Sequence, residues 1–279
     1  MRFTKMHGCG NDYVYVDGAK EHIKNKKQLA ITASDRHFGI GSDGVIFINP
    51  SEIADFEMEM YNADGSRSEM CGNGMRCVGK FVYDHGLTQK SQVAVESCGK
   101  IKYLDMTVEN GKVTKVRVNM GQPELTAVNV PVISPNEQVI DEEIIVNDQT
   151  YRMTCVSMGN PHAVVFLDDV AGMKIEEIGP HFEQHERFPN RTNTEFVKVI
   201  DDSHVEMRVW ERGSGETLAC GTGCCATAVA CVLGGHTGNH VFVKVLGGEI
   251  EIEWDREANL VYMTGPAETV FEGEYPWKE

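Results

Sequence analysis

The chain has 279 residues, of which 41% are hydrophobic and 24% are charged, a composition typical of globular proteins. Its length accommodates one large domain or two of moderate size, with a sizeable buried core. The formal net charge of -16 argues against a nucleic-acid partner, because binding phosphates requires clustered Lys and Arg.

The N-terminal segment "MRFTKMHGCGNDYVYVDG" alternates polar and apolar residues and lacks the apolar run of a signal or transit peptide. No window approaches the roughly 20 apolar residues that span a bilayer, so we expect no membrane association. Nine cysteines, an odd number, in a chain without an export signal indicate reduced thiols rather than a disulfide framework. We therefore expect a cytoplasmic protein.

In the first half of the chain, periodicity predicts strands around one apolar helix. "NDYVYVD" alternates Tyr with Val and predicts a strand, and "KKQLAITASDRHFG" predicts a helix that stops at Gly39. "DFEMEM" predicts a half-buried strand, and the turn "NADGS" follows it. A helix of about a dozen residues is expected after Cys71, ending at Gly86. Three further strands are predicted at "QVAVES", "KIKYLDM" and "VTKVRV".

The second half repeats this pattern after a proline-rich connection. Residues 121–150 contain three prolines and predict a connection plus one or two additional strands. "AVVFLD" then predicts a strand, and a second apolar helix is expected from about Thr222 to Gly234. The remaining strands are predicted at "VFVKVL", "EIEIEW" and "LVYMT".

The two halves align without a gap when the chain is shifted by 149 residues, the separation of Cys71 and Cys220. This shift superimposes "DFEMEMYNADGSRSEMCGNG" on "HVEMRVWERGSGETLACGTG" and "QVAVES" on "VFVKVL". Other residues that it pairs are Asn11 with Asn160, Gly44 with Asn193, Phe47 with Phe196, Asn62 with Glu211, and Gly86 with Gly235. The repeat predicts two similar α+β domains, each a curved sheet wrapped around its apolar helix, with any shared site in the cleft between them.

Each copy of Cys-Gly-X-Gly opens a predicted helix. A helix N-terminus offers unpaired backbone N–H groups and a positive dipole end, which can hold a carboxylate and lower the pKa of a thiol. If the domains face each other, one thiolate can remove a proton from one face of a carbon while the opposite thiol protonates the other face. The sequence therefore predicts inversion of a carbon α to a carboxylate, with Cys71 and Cys220 as the acid–base pair.

Polar residues near these motifs favour a small polar ligand. Asn11 and Asn160 each follow a glycine and precede an apolar strand, and Asn193 begins the strand of "RTNTEF". Glu211 and Arg212 stand where the first half has uncharged residues, so one side of the cleft can hold a second carboxylate or an ammonium group. No phosphate-binding glycine loop is present, and no feature of the sequence demands a cofactor.

Two other interpretations of the cysteines remain open. A metal site could use Cys-X-X-X-Cys-Cys followed by His236, but the first copy offers only Cys71 and Cys77. Four cysteines are interpreted as core residues of the predicted helices: Cys77, Cys224, Cys225 and Cys231. Three others lie near strand ends and are interpreted as structural: Cys9, Cys98 and Cys155. His162 is interpreted either as a site residue or as a structural residue at a strand end.

Six motifs carry a resemblance to the diaminopimelate epimerase family over the whole chain: "MHGCGNDYVYVD", "YNADGSRSEMCGNGMRC", "SMGNPHAV", "RTNTEF", "WERGSGETLACGTG" and "MTGPAETVFEGE". The resemblance implies a homodimeric, cofactor-independent epimerase that interconverts LL- and meso-diaminopimelate for lysine and cell-wall precursor synthesis. It also implies two pseudo-symmetric domains, each a mostly antiparallel sheet around a central helix. One comprises residues 1–118 plus 266–279 and the other residues 119–265.

The resemblance assigns roles to residues of both halves. Cys71 and Cys220 would be the proton-transfer pair. The reacting carboxylate would lie on the backbone amides of Gly72, Asn73, Gly221 and Thr222. Asn11 would contact the reacting end of the substrate, and the distal end would be bound by Asn62, Asn160, Asn193 and Arg212. His162 and Glu211 would assist at the reacting centre.

One position departs from the family pattern, since many members have Gln where this chain has Gly44. The nearest alternative function is a proline or hydroxyproline racemase, which uses a similar thiol pair on a ligand without a second charged end. A thiolate metal-binding protein is the non-enzymatic alternative.

Overall fold

The computed structural model describes residues 1–68 and 71–277. Glu69 and Met70, within the motif that leads to Cys71, and the last two residues of the predicted 266–279 segment lie outside the described residues. The chain divides into two units, Met1–Asn119 with Thr264–Glu279, and Met120–Met263. The boundaries expected from the sequence fall after residues 118 and 265.

The first unit begins with three strands and a helix: β1 (Arg2–Gly8), β2 (Asn11–Asp17), α1 (Lys26–Ser34) and β3 (Gly44–Asn49). It continues with β4 (Phe56–Asn62), β5 (Arg67–Ser68), α2 (Gly72–Asp84), β6 (Gln92–Ser97), β7 (Lys100–Glu109) and β8 (Lys112–Gly121).

The second unit begins with β9 (Glu142–Val146), β10 (Gln149–Ser157), β11 (Pro161–Phe166), α3 (Ile175–Glu183) and β12 (Asn193–Val199). It continues with β13 (His204–Glu211), β14 (Gly215–Glu216), α4 (Gly221–Leu233), β15 (His240–Val245), β16 (Gly248–Asp255) and β17 (Leu260–Pro266). The final strand, β18 (Glu268–Glu274), pairs with β1 of the first unit. Within the described residues, no helix is long and apolar enough to cross a membrane.

In both units most strand pairs are antiparallel, as the family resemblance implies. In the first unit β18, β1 and β2 pair antiparallel, β2 pairs parallel with β3, and β3 pairs antiparallel with β4. In the second unit β10 and β11 pair antiparallel, β11 pairs parallel with β12, and β12 pairs antiparallel with β13. The same alternation of directions therefore occurs in both halves.

The central helices α2 and α4 lie inside their sheets. Buried residues run without interruption from Gly72 to Val82 in α2, which contacts β1, β2 and β7. In α4 the alanines and cysteines between positions 224 and 231 are almost fully buried, and the helix contacts β10, β11, β12, β15 and β16. α4 is apolar on all sides and must be enclosed, which explains why the sheet of its unit wraps around it. The predicted α+β fold is confirmed.

Strand pairing reproduces the 149-residue repeat up to the central helix. Tyr13 lies opposite Gly44 in the first unit, and His162 lies opposite Asn193 in the second. Beyond the central helix the sequence alignment is wrong by one residue. Residues 92–97 correspond to residues 240–245 rather than 241–246, because both strands then share the buried-exposed alternation that begins at Val93 and Val241. The connection after α4 is one residue shorter than the connection after α2.

The first helix ends earlier than the sequence predicts. The structure ends α1 at Ser34, whereas the sequence places the end at Gly39. Asp35 has extended backbone angles, and its carboxylate accepts the backbone N–H groups of His37 and Phe38 at 2.7 and 2.8 Å. This local turn replaces the next helical hydrogen bonds, as Asp side chains commonly do.

The helix α3 was not predicted, although shifting α1 by 149 residues gives its bounds, Ile175–Glu183. Gly179 and Pro180 in its interior hide the helical pattern, since both residues disfavour helices. Gly179 is explained by packing, because a Cβ placed there would lie 2.3 Å from the indole ring of Trp210. Phe182, on the same helix, is fully buried in the core of the second unit.

Replacing Gly179 with alanine tests this packing. Alanine would favour the helix by about 1 kcal/mol, but overpacking against the ring would cost about 1–3 kcal/mol. The ring is held by a 2.7 Å hydrogen bond from its Nε1 to Glu183. We expect Gly179→Ala to lower the free energy of unfolding, measured by urea denaturation with tryptophan fluorescence. Gly238→Ala is the control, because no atom lies within 4 Å of the added Cβ. A higher free energy of unfolding for Gly179→Ala would contradict this packing.

Candidate active site

Cys71 is the N-cap residue of α2, with extended backbone angles of φ -132° and ψ 114°. The backbone N–H of Gly74, in the first helical turn, donates to its Sγ at 3.3 Å. The side chain is partly exposed. The sulfur therefore lies on the positive end of the helix dipole, where a thiolate is stabilised.

Asn11 lies beside Cys71, and a hydrogen bond to Asp43 fixes the orientation of its side-chain amide. The Cys71 thiol donates to Asn11 Oδ1 at 3.1 Å, while Asn11 Nδ2 donates to the Asp43 carboxylate at 2.8 Å. Arg36 donates to the other oxygen of Asp43 at 2.9 Å. These contacts turn the amide oxygen of Asn11 towards the sulfur.

Tyr13 belongs to the same cluster, although the sequence motifs indicate no catalytic or binding role for it. It is 5% exposed. Burial raises the pKa of the Tyr13 hydroxyl, and the nearby Cys71 adds a smaller effect in the same direction. The hydroxyl therefore stays neutral beside the sulfur. The 149-residue repeat pairs Tyr13 with His162 and is the signal that could have identified it.

The other predicted residues of the first unit lie at the ends of α2 and β4. Gly72 and Asn73 form the buried first turn of α2, where their backbone amides belong to the helix N-terminus. Asn62 ends β4 opposite Gly44, and its Nδ2 donates to Ser66 Oγ at 3.0 Å. Asn62 contacts the turn that precedes Cys71.

Gly44 has no room for a side chain. A Cβ at this position would lie 2.2 Å from the carbonyl oxygen of Tyr61 and 3.1 Å from the Cα of Asn62. The backbones of β3 and β4 therefore approach each other at a point that only glycine permits without a shift.

In the second unit, Cys220 is the N-cap residue of α4 and is 6% exposed. Its Sγ lies 3.5 Å from the hydroxyl of Thr222. Burial, with added repulsion from the carboxylates of Glu211 and Glu195, raises the pKa of the Cys220 thiol well above its usual range. The expectation of a lowered pKa is therefore wrong for Cys220, because burial and two carboxylates outweigh the helix terminus.

Glu211 ends β13 close to this thiol. Burial raises the pKa of the Glu211 carboxyl, and hydrogen bonds from Thr217 and Cys220 oppose that shift. Thr217, which sequence reasoning missed, donates its hydroxyl to Glu211 Oε1. Glu211 can therefore hold or release a proton next to the sulfur.

His162 and Asn160 lie together at the start of β11. His162 is fully buried, with Nδ1 2.7 Å from Glu195 Oε1 and Nε2 3.1 Å from Asn160 Oδ1. Glu195 is also fully buried and was missed in the sequence, where it reads as an ordinary residue of the strand "RTNTEF".

Asn193 fixes the backbone around Arg212. Its Nδ2 donates to the Pro161 carbonyl at 2.9 Å, and its Oδ1 accepts from the Arg212 backbone N–H at 2.8 Å. The exposed Arg212 guanidinium donates to the carbonyl of Asn190. Asn193 therefore has an orienting contact with Arg212. Gly221 and Thr222 form the first turn of α4.

The remaining cysteines of α2 and α4 lie in the protein interior. Cys77, Cys224, Cys225 and Cys231 have no exposed surface. Burial raises the pKa of Cys77 and of Cys231 to about 12, which makes both poor acid–base groups near neutral pH. For the alternative of a metal site, the described part of the chain contains no cluster of three or more His, Cys, Asp or Glu side chains arranged to hold an ion.

Comparison with known proteins gives one consistent family. The diaminopimelate epimerase family model matches residues 3–126 and 154–270. The diaminopimelate epimerase of Methanococcus maripaludis is 59% identical over 98% of this chain and 99% of its own length. That of Acetivibrio thermocellus is 54% identical over the full length of both chains.

Solved structures share the fold at low sequence identity. A phenazine biosynthesis protein of the PhzF family from Bacillus anthracis has a TM-score of 0.72 at 16% identity, covering 99% of this chain and 98% of its own. A hydroxyproline epimerase from Agrobacterium vitis has a TM-score of 0.67 at 15% identity, covering 98% and 90%. Both likenesses concern the fold alone. The match to the family model and the identity to its members establish that the chain belongs to the diaminopimelate epimerase family, a family of isomerases.

Proposed function

We propose that this protein interconverts LL- and meso-diaminopimelate without a cofactor, using Cys71 and Cys220 as a two-base proton-transfer pair. The observation that carries the mechanism is that each unit places a cysteine at the N-cap of its central helix. Membership of the family supports the substrate and the role in lysine biosynthesis.

The resting protonation states follow from the surroundings of each thiol. Cys220 faces Glu211 and Glu195 and is almost fully buried, which favours its neutral thiol. Cys71 accepts the first-turn N–H of Gly74 and is more exposed, and both features favour ionisation of the thiol that otherwise donates to Asn11 Oδ1. We infer that Cys71 starts as the base and Cys220 as the acid.

The proposed reaction balances as one proton exchange. The Cys71 thiolate removes the α-proton and becomes a thiol, while Cys220 protonates the opposite face of the carbon and becomes a thiolate. Negative charge on the substrate carboxylate grows as the C–H bond breaks, and preorganised backbone amides stabilise that charge. We assign this role to the amides of Gly72, Asn73, Gly221 and Thr222.

The remaining site residues are assigned to the two ends of the substrate. Asn11 would contact the reacting end, because it already lies against the Cys71 sulfur. His162 and Glu211 would assist at Cys220. The distal end would be bound by Asn62, Asn160, Asn193 and Arg212. The guanidinium of Arg212 would pair with the distal carboxylate.

A proline or hydroxyproline racemase activity is the alternative within this fold. A likeness to a hydroxyproline epimerase at 15% identity leaves the substrate open. The guanidinium of Arg212, assigned to the distal end, favours a substrate with charges at both ends. Incubation with LL-diaminopimelate and with L-proline separates the two activities: inversion of proline alone would overturn the proposal.

The proposal also places the enzyme in the cytoplasm as a homodimer. The nine cysteines, an odd number, support the cytoplasmic location, and the family resemblance supports the homodimer. Light scattering of the purified protein during size-exclusion chromatography measures the oligomeric state.

The acid–base roles predict the effect of removing each sulfur. Cys71→Ala and Cys220→Ala should each lower kcat for epimerisation by about 10³-fold, since each removes one proton-transfer group. Turnover is measured by separating the LL and meso isomers by chromatography. Cys98→Ala changes an exposed cysteine and should retain activity. Near-normal turnover in either site variant would rule out the two-thiol mechanism.

Solvent isotope should enter the product at the inverted carbon. In deuterium oxide the acidic thiol carries deuterium, so each first-turnover product molecule should gain one deuteron while unreacted substrate gains none. Mass spectrometry of the separated isomers measures this. Inversion with retention of the original hydrogen would contradict the two-base mechanism.

The two thiols should differ in reactivity. Iodoacetamide alkylates thiolates, so the ligand-free enzyme near neutral pH should be alkylated at Cys71 well before Cys220, which is buried and has a raised pKa. Peptide mass mapping at short reaction times identifies the modified residue. Faster modification of Cys220 would show that the assigned resting states are reversed.

A further inference from the structure

Glu195 is a buried carboxylate that the proposed mechanism does not use. It belongs to β12 and is fully buried. An ionisable side chain in the protein interior is costly unless it is paired. Its position therefore requires an explanation beyond the strand pattern.

The first unit has an apolar residue where the second unit has Glu195. The 149-residue repeat pairs it with Ile46, and both side chains lie against the first turn of the central helix. A Cβ built on Gly74 would be 2.8 Å from Ile46 Cδ1, and one built on Gly223 would be 2.6 Å from Glu195 Oε1. The same place is thus apolar beside Cys71 and ionisable beside Cys220.

The contacts of Glu195 lead to His162 and then to Asn160. Glu195 Oε1 lies 2.7 Å from His162 Nδ1, and His162 Nε2 lies 3.1 Å from Asn160 Oδ1. Both neighbours of the ring are oxygen atoms, and these two contacts hold the ring in one orientation. Asn160 is the repeat partner of Asn11, whose amide contacts Cys71.

The second oxygen argues against a purely structural role. Among the residues that the structure describes, Glu195 Oε2 has no hydrogen-bond partner. A buried polar atom left unsatisfied lowers the stability of the fold. A carboxylate retained for stability would be expected to use both oxygens, whereas this one uses a single oxygen on the histidine.

We propose that Glu195 is a positioning residue that holds the ring of His162, and through it the amide of Asn160, in the arrangement needed beside Cys220. This inference rests on the proposed function, because Cys220 is taken as a proton-transfer group. As Cys220 passes from thiol to thiolate during turnover, an Asn160 amide that His162 already holds in place limits the reorganisation that the new charge requires.

The variant Glu195→Gln tests the role, since glutamine keeps the shape but removes the charge that fixes the histidine. We expect kcat to fall about 10- to 100-fold, because a hydrogen bond to a charged group is weakened, with KM changed less than about threefold. Glu195→Ile, which installs the residue of the first unit, should lose at least as much activity. The melting temperature of each variant is measured alongside.

A double-mutant comparison separates positioning from a general effect on structure. If Glu195 acts through His162, adding Glu195→Gln to His162→Gln should lower kcat no further than His162→Gln alone. Glu142→Gln removes a carboxylate that pairs with Arg187 in the same unit and serves as the control, with turnover like that of the unsubstituted enzyme. Turnover of Glu195→Gln within twofold of the unsubstituted enzyme, or an equal loss in both backgrounds, overturns the proposal.

A measurement independent of turnover keeps this inference distinct from the proposed function. In nitrogen-15 NMR of the full-length enzyme, the His162 ring should carry a proton on Nδ1 that is strongly hydrogen-bonded, and this signal should shift in Glu195→Gln. An unprotonated Nδ1 in the unsubstituted enzyme overturns the positioning role. Failure to epimerise diaminopimelate, with this signal present, overturns only the proposed function.

Discussion

The start of each central helix is the constraint on which the rest of the structure depends. A cysteine at the N-cap requires a chain that arrives in extended conformation, turns, and leaves as a helix whose first turn is buried. Burial of that turn removes water from its backbone amides, so they remain available to a ligand or to the sulfur. The sheet that wraps each helix supplies this burial; β2 and β11 begin, and β4 and β13 end, at the polar residues assigned to the site.

The two halves share a backbone plan but differ in electrostatics. Around Cys71 the described contacts come from an amide, a peptide N–H and a neutral phenol. Around Cys220 they include two carboxylates and a histidine. Similar backbone geometry with unequal charge is what the proposed two-base mechanism requires, since one thiol would begin as the base and the other as the acid.

Much of the fold and of the candidate site could be predicted from the sequence, because the two halves repeat one pattern and each supports the interpretation of the other. The 149-residue shift identified the paired cysteines and the pairing of Tyr13 with His162, and alternation located most strands. The helix α3 could not be read from periodicity, because Gly179 serves the packing of Trp210 rather than the helix. The one-residue change in connection length after α4 is also invisible without strand register. The raised pKa of Cys220 depends on which side chains are buried near it, and sequence spacing does not contain that information.

The close approach of β3 and β4 at Gly44 restricts the substitutions that this position can accept. Since β3 and β4 approach too closely there for a side chain, a single substitution to glutamine, the residue of many family members, would meet the Tyr61 carbonyl before it could reach a ligand. A shift of β4 would have to come first or arise together with it. The neighbouring strand therefore limits which residues this position accepts, and glutamine requires a coordinated change in β4.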